Sequence, residues 1–126
     1  MAYSISSPAG QAVQHILDLL PNLVSVAVVD TRTGMSLASY SGTPGVNPDM
    51  AANFNAGVVR QKQQAIQALA LTDEVIEDIL ITLTTQLHLI MMVGDGSRFL
   101  YLAVRQQDTS LGTAREALGN QARLLA

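Results

Sequence analysis

The sequence predicts an α+β domain in which a five-stranded antiparallel sheet carries a long helix on one face and two terminal helices on the other. Apolar residues repeat at helical spacing in three segments and at strand spacing in five, in the order α-β-β-α-β-β-β-α. Such a sheet buries its apolar surfaces when helices cover both faces. The 126 residues suit one domain, predicted over residues 8–126 after a flexible tail at residues 1–7.

The first helix and the first hairpin are marked by their end residues. Ser7 is a predicted N-cap, and Pro8 occupies the first helical position that proline favours. Residues 23–29 are apolar on both alternating faces, as in a central strand. Residues 30–34 end in glycine and predict a tight turn into a second strand at residues 35–40.

The second half begins with Asn47 and Pro48, a cap and first-turn pair that starts a helix predicted to reach about Leu71. Three strands follow at residues 74–83, 86–93 and 98–104, and a helix capped near residues 108–110 ends the domain. The acidic start of the first of these strands, at Asp73, Glu74, Glu77 and Asp78, is typical of an exposed sheet edge.

The long helix is apolar on two sides. At 100° per residue, one stripe predicted to cover the sheet contains Met50, Phe54, Val58, Ala65, Ala68 and Leu69. A second stripe, predicted to face away from the sheet, contains Ala52, Ala56, Val59, Ile66 and Ala70. Because one sheet face covers only one stripe, the second predicts a symmetric homodimer with paired long helices. The alternative is that these small residues are simply exposed.

Composition excludes several classes of function. A net charge of −3 without a Lys/Arg cluster disfavours nucleic acid and anionic membranes as partners. No apolar run approaches the ~20 residues that span a bilayer, so we expect no membrane insertion. The lack of cysteine suits a reducing compartment, and with no secretory leader recognisable we expect a cytoplasmic protein.

Residues for chemistry are sparse, and we predict no catalytic, cofactor-binding or metal-binding site. His15 and His88 lack the spacing of metal ligands or of an acid–base pair. Residues 94–97, Gly-Asp-Gly-Ser, lack the lysine and spacing of a phosphate-binding loop and predict a hairpin turn instead. The sequence therefore favours a protein that is not an enzyme.

Motifs spread along the chain resemble the Roadblock/dynein light chain domain family, in particular its prokaryotic MglB-like branch. They cover about residues 8–122 and comprise Val28-Val29-Asp30 with Thr33-Gly34-Met35, Val58-Val59-Arg60-Gln61-Lys62-Gln63-Gln64, Glu77-Asp78-Ile79-Leu80-Ile81, Leu87-His88-Leu89-Ile90 and Phe99-Leu100-Tyr101-Leu102-Ala103. The resemblance implies a dimer whose sheets join through residues 74–83 into ten continuous strands, beneath paired second helices. It also implies regulation or scaffolding of a small Ras-like GTPase, with no catalytic residue in this chain.

These considerations predict two surfaces. The predicted dimer interface contains Ala52, Ala56, Val59, Gln63, Ile66, Ala70, Ile76, Asp78 and Leu80. A possible partner-binding surface is the polar strip between the stripes of the long helix: Asn53, Arg60, Gln64 and Gln67. Two alternatives stay open: an adaptor for a sensor-kinase-like or other signalling protein without effect on GTP turnover, and, less favoured by the 4% aromatic content, a small-molecule sensor.

Overall fold

The computed structural model describes residues 3–126 and confirms the predicted order of elements. The predicted tail at residues 1–7 lies partly outside this range, and its flexibility stays a prediction. In the described part of this tail, the Tyr3 hydroxyl donates to Gln14 Oε1 at 2.7 Å. The elements are α1 (Pro8–Leu19), β1 (Ser25–Asp30), β2 (Ser36–Ser41), α2 (Pro48–Ala68), β3 (Asp78–Thr82), β4 (Gln86–Val93), β5 (Arg98–Arg105) and α3 (Leu111–Leu125).

The five strands form one antiparallel sheet in the order β2-β1-β5-β4-β3. β1 and β5 are central, which agrees with their apolar residues on both faces. β3 is an edge strand, hydrogen-bonded within the described chain to β4 alone. β3 is shorter than predicted, since residues 74–77 precede the strand. The Glu77 backbone carbonyl still accepts from the Met92 N–H at 3.0 Å.

The helix ends show why these segments start and stop where they do. The Ser7 hydroxyl accepts from the Gly10 N–H at 3.0 Å, and Asn47 Oδ1 accepts from the first turn of α2. α2 ends in a Schellman motif, in which the Leu71 N–H donates to the Ile66 carbonyl at 3.1 Å. Ala70 takes the left-handed conformation of that motif, with φ of 57°, so it lies beyond the helix on which it was predicted.

Two apolar cores lie on opposite faces of the sheet. Alternate residues of the central strands pack against α1 and α3, where Ile16, Leu102 and Leu118 are fully buried. The other residues of those strands, including Phe99 and Tyr101, pack against α2. The predicted layering, with one helix on one face and two on the other, is confirmed.

The assignment of the two apolar stripes of α2 is wrong, because the stripe predicted to face outward faces the sheet. Ala52, Ala56 and Val59 are fully buried in the core beneath α2. By contrast, Phe54 is 72% exposed and Met50 58% exposed. Gln61 belonged to the predicted sheet-facing stripe and would have needed a buried polar partner, but it too is exposed.

The physical reason is the short distance between α2 and the β1–β2 turn. A Cβ atom built on Gly34 would lie 3.5 Å from the Ala56 Cβ, which is van der Waals contact. Gly34 also has a φ of 75°, a backbone conformation that residues with a side chain rarely adopt. A helix this close to the turn needs a small side chain facing Gly34, so Ala56 lies inside whereas the larger Phe54 lies outside.

Candidate interaction surface

The outward side of α2 carries an apolar stripe without cover in the single chain. We call Phe54, Val58, Ala65 and Leu69 the outer stripe. Three of them are large and exposed: Phe54 by 72%, Val58 by 40% and Leu69 by 65%. Single exposed apolar residues are normal, but several at helical spacing along one helix suggest a contact surface.

A groove connects the outer stripe to the edge strand. It has a volume of about 750 Å³ and lies between α2 and the segment that leads into β3. Val58, Lys62 and Ile66 form the helix side, whereas Val75 and Ile79 belong to the opposite wall. Outer stripe and groove therefore form one continuous surface that ends at β3.

The free edge of β3 has little of the charge that usually blocks edge pairing. Asp78 is the only charged residue among Asp78–Thr82, and its carboxylate accepts from Arg115 of α3 at 3.3 Å. The other carboxylates of the predicted acidic edge precede the strand. The apolar edge residues Ile79 to Ile81 are half-buried, so β3 can pair with a further strand.

Other residues of the predicted interface lie in different places. Gln63 is half-buried, with its side-chain nitrogen 3.8 Å from the position of a Cβ atom on Gly96. Ile76 is half-buried and lines the groove. Leu80 packs against the core on the α1 and α3 face. The structure thus moves the candidate surface from the alanine side of α2 to the outer stripe, while Asp78 and Leu80 remain on the edge strand.

The predicted polar strip follows one side of α2, beside the turn of the first hairpin. Gln64 and Gln67 are exposed, and Asn53 lies over Gly34. Arg60 is partly buried, and its Nη1 donates to the Thr31 carbonyl at 2.8 Å and to the Arg32 carbonyl at 3.3 Å. Arg60 therefore holds the β1–β2 turn against α2, in addition to any role toward a partner.

At the same end of the sheet, hydrogen bonds join the β1–β2 turn to the β4–β5 turn. Thr31 Oγ1 donates to the Gly96 carbonyl at 2.9 Å, and the Thr31 N–H donates to the Ser97 carbonyl at 2.9 Å. A hydrogen bond from the Thr33 backbone N–H lowers the pKa of Asp30, and one from the Ser97 backbone N–H lowers that of Asp95. Both turns are thus closed around carboxylates that stay ionised near neutral pH.

We expect Arg60→Ala to lower the free energy of unfolding by about 1 to 3 kcal/mol, because it removes a partly buried charge-assisted hydrogen bond to the Thr31 carbonyl and an exposed one to the Arg32 carbonyl. Urea denaturation would measure the change. The exposed Gln64→Ala serves as the matched control on the same helix, and we expect it to stay within about 0.5 kcal/mol of the original chain. Equal stability of Arg60→Ala and the control would contradict the structural role of Arg60.

The two histidines do not form a common site. His15 lies on α1, exposed, with its Nδ1 3.2 Å from Gln121 Oε1 of α3. His88 lies on β4 with its Nε2 2.8 Å from Gln86 Oε1. Among residues 3–126, no three His, Cys, Asp or Glu side chains are grouped closely enough to hold a metal ion.

No helix among the described residues is long and apolar enough to cross a membrane. No family model matches the chain, and no curated protein matches it in sequence.

Solved structures with the same architecture cover almost the whole chain. A protein described as MglB with a tetrameric arrangement is 20% identical over 99% of this chain and 92% of its own, with a TM-score of 0.75. The gliding protein MglB of Thermus thermophilus is also 20% identical, over 99% of this chain and 93% of its own, with a TM-score of 0.76. A Roadblock/LC7 domain from Streptomyces avermitilis reaches 0.74 at 11% identity, over 90% of this chain and 91% of its own.

The chain has the Roadblock/LC7 fold. The fold implied by the sequence motifs is therefore confirmed. Sequence reasoning placed the Roadblock/LC7 fold correctly but missed Phe54, Val58 and Leu69 as candidate interface residues. Their size was the available signal, since a side chain as large as that of Phe54 does not fit where α2 approaches the turn at Gly34 so closely.

Proposed function

We propose that the chain is a non-enzymatic homodimer that binds a small Ras-like GTPase as a regulator or scaffold. The observation that carries the proposal is the outer stripe of α2, which continues through the groove to the free edge of β3. Surfaces of this kind are typical of protein–protein contacts. The Roadblock/LC7 fold supports the proposal, and the GTPase as partner comes from the resemblance of the sequence to MglB-like proteins.

In the proposed dimer, β3 of each copy pairs with β3 of the other and extends the sheet to ten strands. Two identical edge strands pair antiparallel in one sheet only about a two-fold axis perpendicular to it, so both α2 helices lie on the same face. The outer stripes then cover each other above the junction. The proposed interface thus contains Phe54, Val58 and Leu69 of α2, in place of the alanine side predicted from the sequence.

The GTPase is proposed to contact the polar strip of α2, where Gln64 and Gln67 are exposed beside the turns of the sheet. No residue of this chain needs to act on the nucleotide, since binding can reposition the catalytic groups of the GTPase itself. A GTPase partner also places the protein in the cytoplasm in this proposal.

Binding and turnover measurements test the proposal together. A small Ras-like GTPase encoded near the gene is loaded with GDP or with a non-hydrolysable GTP analogue, and its binding to the chain is measured by titration. GTP hydrolysis is then followed with and without the chain. We expect nucleotide-dependent binding, and a change in hydrolysis if the chain is a regulator; binding with unchanged hydrolysis would make it an adaptor.

Paired variants locate the contact. Gln64→Glu with Gln67→Glu changes the charge of the polar strip, and we expect it to weaken binding about tenfold or more. Glu116→Lys lies on the exposed side of α3 and is the control, with affinity expected to be unchanged. No affinity for any such GTPase would exclude the proposed function, whereas equal losses in both variants would exclude the polar strip as the contact.

A further inference from the structure

His88 lies on the α2 face of the sheet, near the proposed junction between copies. It pairs with Ile81 on β3 and with Ala103 on β5. Its ring meets the ring of Tyr101 edge-on, with centroids 5.8 Å apart. His88 is only half-buried in the single chain, so this part of the sheet is incompletely covered by its own α2.

The two-fold axis of the proposed dimer determines what covers His88. In one copy, the last turns of α2 lie beside the start of β3, because Ile66 and Leu71 line the groove with Asp78. Rotation about an axis between the two β3 strands places the same turns of the second copy at the other end of β3. In the proposed dimer, Leu69 and Leu71 of the second copy are the apolar side chains available to cover the end of β3 that lies beside His88. Both leucines are exposed in the single chain.

The charged groups around His88 do not stabilise a positive ring. Burial raises the pKa of Tyr101, which stays neutral, and Gln86 is uncharged. Arg105 lies opposite Gln86 on β5 and carries a positive charge. Among residues 3–126, the ion pairs are Arg105 with Asp108 and Arg115 with Asp78, and neither includes His88.

The second copy changes this balance little. Lys62 lines the groove beside β3, so the rotation brings another positive charge toward the axis. Glu77 is the carboxylate next to β3 on the α2 face, by alternation with Ile79. In a register centred on Leu80, Glu77 of the second copy lies opposite Leu83, which follows β3 two positions beyond Ile81 and lies across the junction from β4.

We propose that protonation of His88 opposes dimerisation, so that the dimer dissociates as the pH falls below neutral. The proposal rests on the proposed dimer and adds a means of regulating it. An imidazolium ion between apolar side chains, with no carboxylate in contact, must either lose its proton or keep the two copies apart.

The direction of the pH effect follows from burial. Burial lowers the pKa of His88 below its ordinary value of 6.5. For dimerisation the reference state is the single chain, so association is strongest above the pKa that His88 has in the single chain. It weakens as the pH falls below that pKa, because the separate copies then take up a proton that the dimer does not hold. The dimer, which buries the ring further, should lower that pKa again.

Sedimentation of the original chain and of His88→Gln at about pH 7.5 and 5.5 tests this inference, because that window excludes most carboxylate titration. Glutamine keeps a polar side chain without a titratable group. We expect the dissociation constant of the original chain to rise severalfold at the lower pH, since both copies must lose a proton to associate, and that of His88→Gln to stay nearly constant. His15→Gln, on the exposed side of α1, is the matched control and should follow the original chain.

A second measurement needs no variant. The imidazole of His88, followed by NMR, should titrate at a lower pH as the protein concentration and the dimer fraction increase. A dimer of constant affinity at both pH values would overturn the role of His88 and leave the proposed dimer standing. A chain that is monomeric at both pH values would overturn the dimer, and this inference with it.

Discussion

Phe54→Asp should convert the protein into a folded monomer. Phe54 is 72% exposed in the single chain, so an aspartate there stays solvated and the core beneath α2 is not disturbed. In the proposed dimer, the same aspartate would be forced into an apolar contact on each copy. Loss of a central aromatic side chain weakens an interface by about 2 kcal/mol or more. Two copies therefore raise the dissociation constant roughly a thousandfold.

Analytical ultracentrifugation measures the association state, and circular dichroism with thermal unfolding of dilute protein measures the fold. Gln107→Asp is the matched control, since it adds the same charge at an exposed position after β5. We expect the control to remain dimeric. A Phe54→Asp chain that sediments as a stable dimer would show that the outer stripe is not the interface.

The elements of the fold were predictable because each is specified by nearby residues. Ser7 with Pro8, and Asn47 with Pro48, start helices through contacts within one turn. The Asp30 carboxylate accepts from the Thr33 N–H at 2.9 Å and closes the first hairpin turn. Such contacts span three residues or fewer, so a single sequence contains the information they require.

The orientation of α2 was not predictable in the same way. Helical periodicity gives the angle between two apolar stripes, but not which stripe is closer to the sheet. That choice depends on Gly34 and Ala56, which are distant in sequence and in contact in space. The predicted length of β3 was wrong for a related reason. Val75 was predicted to belong to the strand, yet it is 81% exposed and precedes the strand.

The candidate interaction surface shows the limit of arguments from hydrophobicity alone. One sheet face cannot cover both sides of α2, which predicted a contact surface, and the structure does leave one side of α2 uncovered. The error lay in which of the two stripes was placed against the sheet. An alanine-rich side can be the better core contact where helix and sheet are close, and larger residues then remain for a partner.

Val59→Asp, five residues after Phe54 on the same helix, should have the opposite consequence. Val59 is fully buried in the core that also contains Val29 and Phe99. An aspartate there loses the transfer free energy of the valine side chain, about 1.5 to 3 kcal/mol, and buries a carboxylate without a partner. The combined loss of about 4 kcal/mol or more is comparable with the whole stability of a small domain. We expect unfolded or aggregated protein, without the cooperative thermal transition that Phe54→Asp retains.

A Val59→Asp chain that stays folded and becomes monomeric would restore the original assignment, in which the alanine side of α2 faces a second copy. The two variants together therefore decide which side of the helix is core, because each assignment of the stripes predicts unfolding for one and dissociation for the other.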